Sequence, residues 1–305
     1  MNNAVVTPGR AMKPHRQKID LLPYYFLAPM AALLIFVSFY PAGYAVWLGM
    51  TDATLLKLGQ EQFTGFTNLV RMFNDKIFLH GLWRTLRWDV AVVFLEFAIA
   101  IPIALFLNLE FRGRGFVRAS ILIPYIIPPA VTALVWVFMF DGNFGIVNEV
   151  LVNIGVLDSY YSWLSDPTAS FWIIVFAMIW AGQPLMAIII LAVLQTIPKE
   201  LYEAANVDGA GQIRKFWHIT LPHIAPTLMF LLLIRTIWMS NHIDMIYVMT
   251  RGGPGFSNYT EAVYSFTLTT QFQIGYASAV AVALGLVLLV GAAFYVRHLA
   301  RSVLS

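Results

Sequence analysis

The chain has 305 residues, of which 59% are apolar and only 11% charged, with a net charge of +3 and no cysteine. Soluble globular proteins carry about 25% charged residues, so the composition describes a polytopic membrane protein rather than a water-surrounded fold. It also excludes a nucleic-acid binder built on a long basic segment, a disulfide scaffold, a thiolate nucleophile and a cysteine-bound metal.

In chain order, residues 1–20 end in the basic stretch RAMKPHRQK and are expected to form a cytoplasmic tail. The apolar stretch that follows, Tyr24 to Met50, is too long for the apolar region of a cleavable signal peptide and predicts a first membrane span. Six apolar runs reach the roughly 20 residues that cross a bilayer: Phe26–Met50, Trp88–Leu109, Ile121–Phe140, Phe171–Leu194, His223–Tyr247 and Tyr276–Arg297. Each is expected to be helical, because a span in lipid must satisfy its own backbone, and the runs lack the alternation of β-barrel strands. The expected fold is all-α: a polytopic bundle of six transmembrane helices forming one domain, residues 21–305, with no internal repeat and no linker. Proline recurs within the spans at Pro29, Pro41, Pro102, Pro128, Pro129, Pro184 and Pro226, either as ordinary kinks or as bends around a pathway.

Lysine and arginine in the connections set the orientation. Twelve lie in the two tails and the even-numbered loops and six on the other side, so both termini are expected in the cytoplasm. The Asp141–Ser170 loop has no lysine or arginine, which fits an external position, whereas Arg84 and Arg87, just before the second apolar run, go against the trend.

One compact polar island interrupts this apolar chain, ELYEAANVDGAGQIRKFWHITLP, from Glu200 to Pro222. Pro198 suits the start of a helix, Glu200 and Glu203 sit toward its positive end, and Leu201, Ala204 and Ala205 share a face. Gly209 can end that helix in the left-handed conformation, and a second short helix from about Gly211 to His218 would present Ile213, Phe216 and Trp217. The segment, about 197–222, therefore predicts a cytoplasmic helix–turn–helix. Two readings follow: a helix floating at the headgroups, or a docking element for a cytoplasmic protein. A floating helix needs a broad apolar face backed by lysines. Here the face is narrow, the charges nearly cancel, and alanines allow close approach, which favours docking.

Nothing in the sequence supplies an energy source. DGAGQIRK lacks the spacing and the Ser or Thr of a phosphate-binding loop, FRGRGFVR has Arg118 where a dinucleotide loop needs its third glycine, and H-E-x-x-H and G-x-S-x-G are absent. The six histidines form no pair four residues apart. No catalytic residue, no metal site and no cofactor bound by this chain are expected, and the chain is not read as an enzyme.

Glu96, Arg235 and Asp244 lie inside predicted spans and Asp89 near an end. A central arginine costs about 2.5–3.5 kcal/mol on insertion scales and so should face protein or a wet cavity. On a helix, Trp238 and His242 would share the face of Arg235 with Met239 beside them, whereas Asp244 would fall on roughly the opposite face. An aromatic ring, a cation and an imidazole on one stripe could cradle a sugar. Alternatively, Arg235 pairs with Glu96 or Asp89 and holds the bundle together, while Trp238 packs and His242 is a satisfied polar residue.

The island carries a specific resemblance. Glu203-Ala204-Ala205, three residues, Gly209, nine residues, Ile219, one residue and Leu221-Pro222 match the EAA loop of ABC-importer permeases at every fixed position. RGFVRASILIPYIIPP and WLSDPTASFWIIVFAMIW resemble the segments leading into the third and fourth core spans of that family, and YVMTRGGPG is similar to an external turn of its maltose-type larger half. HIDMIY departs from the family pattern at Ile243, where phenylalanine is more usual. The resemblance covers about Asp20 to the C-terminus.

It implies a type I ABC importer permease fold in a bacterial inner (plasma) membrane. The implied partners are a second permease subunit, two ATPase subunits that bind ATP and Mg, and an extracytoplasmic solute-binding protein. It implies that Glu203, Ala204, Ala205, Asp208 and Gly209 couple the spans to the ATPase, with Glu203 meeting a basic group. It also implies a substrate pathway past Tyr125, Met178, Gly182 and Leu185, joined by Arg235, Trp238, Met239 and His242, with Gly182 letting substrate approach the backbone and Arg235 able to select an anionic sugar. The expected function is ATP-driven import of a sugar, polyol or glycoside. The alternative is an ion-gradient carrier using Glu96, Asp89 or Asp244, although such carriers usually have more spans and inverted repeats. An intramembrane enzyme is disfavoured by the missing motifs. The sequence does not identify the sugar, since specificity is shared with the binding protein and the second permease.

Overall fold

The computed structural model describes residues 22–57 and 59–304; the basic stretch before Leu22 and its cytoplasmic placement lie outside them. The chain divides into two compact units, residues 1–44 and 45–305. The first candidate span, α1, Tyr25–Gly49, includes a π-helical turn at Ile35–Phe39. Among the described residues the remaining structure is helical, apart from one isolated antiparallel bridge, Thr51 to Phe63.

In the second unit, α2 (Thr67–Asn74) leads to α3 (Lys76–Asn108), much longer than the apolar run that predicted it. Asp75 starts α3 by accepting from the N–H groups of Ile77 (2.8 Å) and Phe78 (3.4 Å), satisfying donors that have no partner within the helix. α4 (Arg114–Ile121) and a further turn, Ile123–Ile126, precede α5 (Pro129–Met139). The third span, expected as one run from Ile121 to Phe140 carrying Pro128 and Pro129, is bent by 88° at this junction. The cause lies in the sequence: Pro128 forces Ile127 into an extended conformation (φ −73°, ψ 128°), and Pro129 then opens a new helix.

α6 (Ile146–Asn153) lies in the loop before α7 (Pro167–Leu194), whose start Asp166 caps by accepting from Thr168 and Ala169. α8 (Lys199–Val207) follows, then a helical turn, Gln212–Lys215, and a π-helical turn, Phe216–Thr220, running directly into α9 (Leu221–Ser240). The expected fifth span does not run straight to Tyr247, because the helix stops at Ser240 and restarts as α10 (Asp244–Thr250). α11 (Glu261–Thr270) and α12 (Ile274–Leu304) complete the chain.

Five stretches among the described residues are long and apolar enough to cross a membrane, and the bent pair makes a sixth. The fold is an all-α polytopic bundle. Its core is the packing of α3 along α7, with α9 against both. Ala100 and Ala104 of α3 and Ala177 and Ala187 of α7 are fully buried; small residues let membrane helices approach closely, so that dispersion contacts replace the hydrophobic drive that lipid does not provide.

Candidate functional site

Two places bring together the residues singled out by sequence. The first is the elbow between α7 and α9. Pro198 precedes α8 in an extended conformation, and the helix ends at Gly209 with φ +71°. There the N–H of Ala210 donates to Ala205 O (2.8 Å) and that of Gly209 to Asn206 O (3.1 Å). This pair of bonds closes a helix on a left-handed residue and satisfies its last carbonyls.

Two side-chain bonds fix α8 to the turn after it. Lys215, itself buried, donates to Asn206 Oδ1 at 2.7 Å, and the Tyr202 hydroxyl lies 2.9 Å from Thr220 Oγ1. These straps are not legible in the sequence, because lysine, asparagine, tyrosine and threonine are commonplace in a polar loop and their pairing depends on the turn. Lys199 pairs with Glu110 at 3.3 Å, but both side chains are exposed and such a pair adds little.

The elbow presents Glu203, Ala204, Asp208 and Gly209 outward, with Ala205 half-buried. Beside them stand apolar side chains with nothing over them: Val207 is 89% exposed, Ile213 78% and Trp217 60%. Small residues flanked by bare apolar ones make a surface suited to a close protein contact.

The second place is a cavity of about 550 Å³. Tyr125 and Pro129 line it from the bend before α5, Met178 and Gly182 from α7, and Arg235, Trp238 and Met239 from the end of α9. His242 and Asp244 line it too, although the helix has ended before them. The single helical stripe expected for Arg235, Trp238 and His242 is therefore replaced by a helix end and a break, and Asp244 faces the same cavity instead of the opposite side. The His242 ring accepts the Met245 N–H (3.3 Å) and so caps the restarted helix. Leu185 is absent from the lining and packs, half-buried, against the core.

Arg235 donates from Nε to Glu96 Oε2 at 2.7 Å, and both side chains are buried, 7% and 0% exposed. This pairing with the neighbouring span is one of the two readings the sequence left open. Arg235 Nη2 and Glu96 Oε1 have no hydrogen-bond partner of their own among the described residues, and Arg235 also lines the cavity. Gly182 serves this pair: a Cβ there would collide with the guanidinium and with Glu96 Oε1. Its missing side chain thus makes room for the ion pair, and Gly182 lines the cavity as well.

Asp89, the other acid considered, accepts instead from the Ser240 hydroxyl, and Trp88 Nε1 donates to Met239 O at 3.1 Å. Together these bonds hold the end of α9 against α3. No group of histidines, cysteines and acids suited to a metal ion occurs among the described residues.

A membrane bundle with an exposed helical elbow on one connection, and a mostly apolar cavity that holds a few polar side chains, has the architecture of a transport subunit. Residues 97–305 match the family described as binding-protein-dependent transport system inner membrane component, and the chain belongs to that family. Among its relatives, the sulfoquinovosyl glycerol transport system permease SmoG of Agrobacterium fabrum is 37% identical, over 91% of this chain and 90% of its own. The trehalose/maltose transport system permease MalF of Thermococcus litoralis is 33% identical, over 86% and 88%. A solved bacterial alginate ABC transporter, in complex with an alginate pentasaccharide-bound periplasmic protein, is similar with a TM-score of 0.80 at 25% identity, covering 93% and 95%. The chain is thus a multi-pass inner-membrane permease component of an ABC importer. It is not itself the catalyst; hydrolysis belongs to the ATPase subunits of such systems.

Proposed function

We propose that the chain is the translocating subunit for a sugar, polyol or glycoside handed over by an extracytoplasmic binding protein. The cavity carries this reading. Tyr125 and Trp238 are about half exposed within it, so their ring faces are free to stack on sugar C–H surfaces, while Arg235, Asn241, His242 and Asp244 offer donors and acceptors for hydroxyls. The transport systems of the relatives named above handle sugar derivatives, which supports the same class.

Selection of an anionic sugar by Arg235 is less well supported, because Glu96 already neutralises the guanidinium and Asp244 adds a negative charge to the lining. The chain would work beside a second permease subunit and over two ATPase subunits that hold ATP and Mg, with no cofactor of its own and both termini cytoplasmic. Glu203, Ala204, Ala205, Asp208 and Gly209 would form the contact through which ATPase closure moves α7 and α9. ATP binding would open the cavity outward and hydrolysis would reset it inward.

Uptake into proteoliposomes tests the reading. The assembled complex should accumulate a radiolabelled neutral disaccharide only with binding protein and ATP. Accumulation driven by an ion gradient, with this chain alone, would replace the proposal by the gradient-carrier alternative. Preferential uptake of anionic sugars, lost selectively in Arg235→Ala, would restore the anionic reading.

A further inference from the structure

Arg84 and Arg87 lie in the N-terminal part of α3, on the side where the lysine and arginine count predicts few cations. Arg84 lies near the Glu261 carboxyl. Arg87 forms no ion pair among the described residues. It donates to Ser257 O (3.0 Å) and its guanidinium lies 4.0 Å over the Phe171 ring, but the ion pairs among the described residues are Lys199–Glu110 and Arg235–Glu96. Arg87 is exposed as a residue and lines a groove of about 440 Å³ between α3 and α7.

The groove has two chemically distinct parts. Leu86, Val90 and Ala91 line it with aliphatic side chains, and Trp83 and Trp172, both exposed, line it together with Arg87. The apolar part of α3, Trp88 to Asn108, rises about 30 Å at about 1.5 Å per residue, the thickness of the hydrocarbon core. Arg87 therefore sits at the boundary between hydrocarbon and headgroups, where tryptophans also collect. An uncompensated cation at headgroup depth, above an apolar slot open to lipid, is complementary to one kind of molecule.

We propose that the α3–α7 groove binds an anionic phospholipid, its phosphate on Arg87 between Trp83 and Trp172 and an acyl chain along Leu86, Val90 and Ala91. Guanidinium donors and phosphate oxygens form charge-assisted hydrogen bonds, and a cation near the membrane surface favours an anionic lipid by about fivefold. The site is independent of which solute the cavity carries.

Native mass spectrometry of the assembled importer tests it, after exchange into mixtures of phosphatidylglycerol and phosphatidylcholine. The native complex should retain phosphatidylglycerol about fivefold over phosphatidylcholine, and Arg87→Gln should abolish that preference. Val90→Trp fills the slot and leaves the charge in place, so it should lower retention of both lipids. Equal retention of both lipids by the native complex, or an unchanged preference in Arg87→Gln, would overturn the proposal. So would a cross-link from Val90→Cys to a helix of another subunit in place of lipid.

Discussion

The elbow and the cavity are built by opposite strategies. The elbow is made from one run of about two dozen residues, Ile197 to Pro222, and is held by local bonds: the closure at Gly209 and the straps Lys215–Asn206 and Tyr202–Thr220. The cavity is assembled from α7, α9 and the bends beside α5 and α10, and fixed to α3 by a buried ion pair between residues 139 positions apart. A contact meant to pass on mechanical work must be stiff within itself yet bare outward, and local bonding provides that. A pathway through lipid must instead bury its polar groups against one another, because no water is there to satisfy them.

The ion pair offers the most severe way to break this contrast. Glu96→Ala leaves a guanidinium buried alone, which typically costs about 3–5 kcal/mol. A thermal-unfolding assay on the purified complex should show either loss of assembly or the largest drop in Tm of any single change named here. Replacing both partners, Glu96→Met with Arg235→Met, should recover most of that drop, since matched apolar residues remove the unpaired charge. A double variant no more stable than Glu96→Ala would mean that the pair does not act as a unit.

Gly182→Ala is the next step down. Its methyl group must push the guanidinium off Glu96, and overpacking of this kind costs about 1–3 kcal/mol. If Gly182 were instead an opening for substrate, the melting temperature would hold and only uptake would fall.

At the elbow the expected pattern reverses. Gly209→Ala places a side chain at φ +71°, at a cost of about 1 kcal/mol, in a segment that carries little of the core. The melt should barely move while ATP-driven uptake falls severalfold. Lys215→Met should act in the same direction more weakly, since an internal hydrogen bond contributes about 0.5–1.5 kcal/mol.

A pH-dependent effect is expected at Glu261, outside the spans. Burial, with the nearby Asp75 adding repulsion and Arg84 opposing, pushes its carboxyl from the ordinary 4.5 up to about 8. The folded state therefore holds a proton that the unfolded chain releases, so this contribution is complete below about pH 4.5 and is lost as pH rises through about 8. Melting temperatures should fall between pH 6 and pH 9 in the native complex, and less in Glu261→Gln. An equal fall in both would assign the pH dependence to other groups.

Most of the fold was legible because lipid imposes one rule, long apolar helices, and composition alone obeys or breaks it. The exceptions were local. Ile127-Pro128-Pro129 reads as a break, yet only geometry shows that the bend reaches 88°. The stop of α9 at Ser240 has no proline or glycine to announce it, so a continuous helix would give His242 and Asp244 faces that the break before α10 removes. The elbow was legible residue by residue because its partners are near in sequence. The Arg235–Glu96 pairing was one of two readings left open, whereas the role of Gly182 was not legible, because a glycine that yields to an arginine some fifty positions away leaves no mark on its own neighbourhood.

The native chain contains no cysteine, so a single introduced thiol reports one position cleanly. Val207→Cys, carrying a short photoactivatable cross-linker in the assembled complex, should form an adduct with an ATPase subunit, and uptake should be lost in proportion to cross-linking. Full transport with the adduct in place, or adducts to lipid and none to the ATPase, would contradict the elbow's role as the point where work enters the chain.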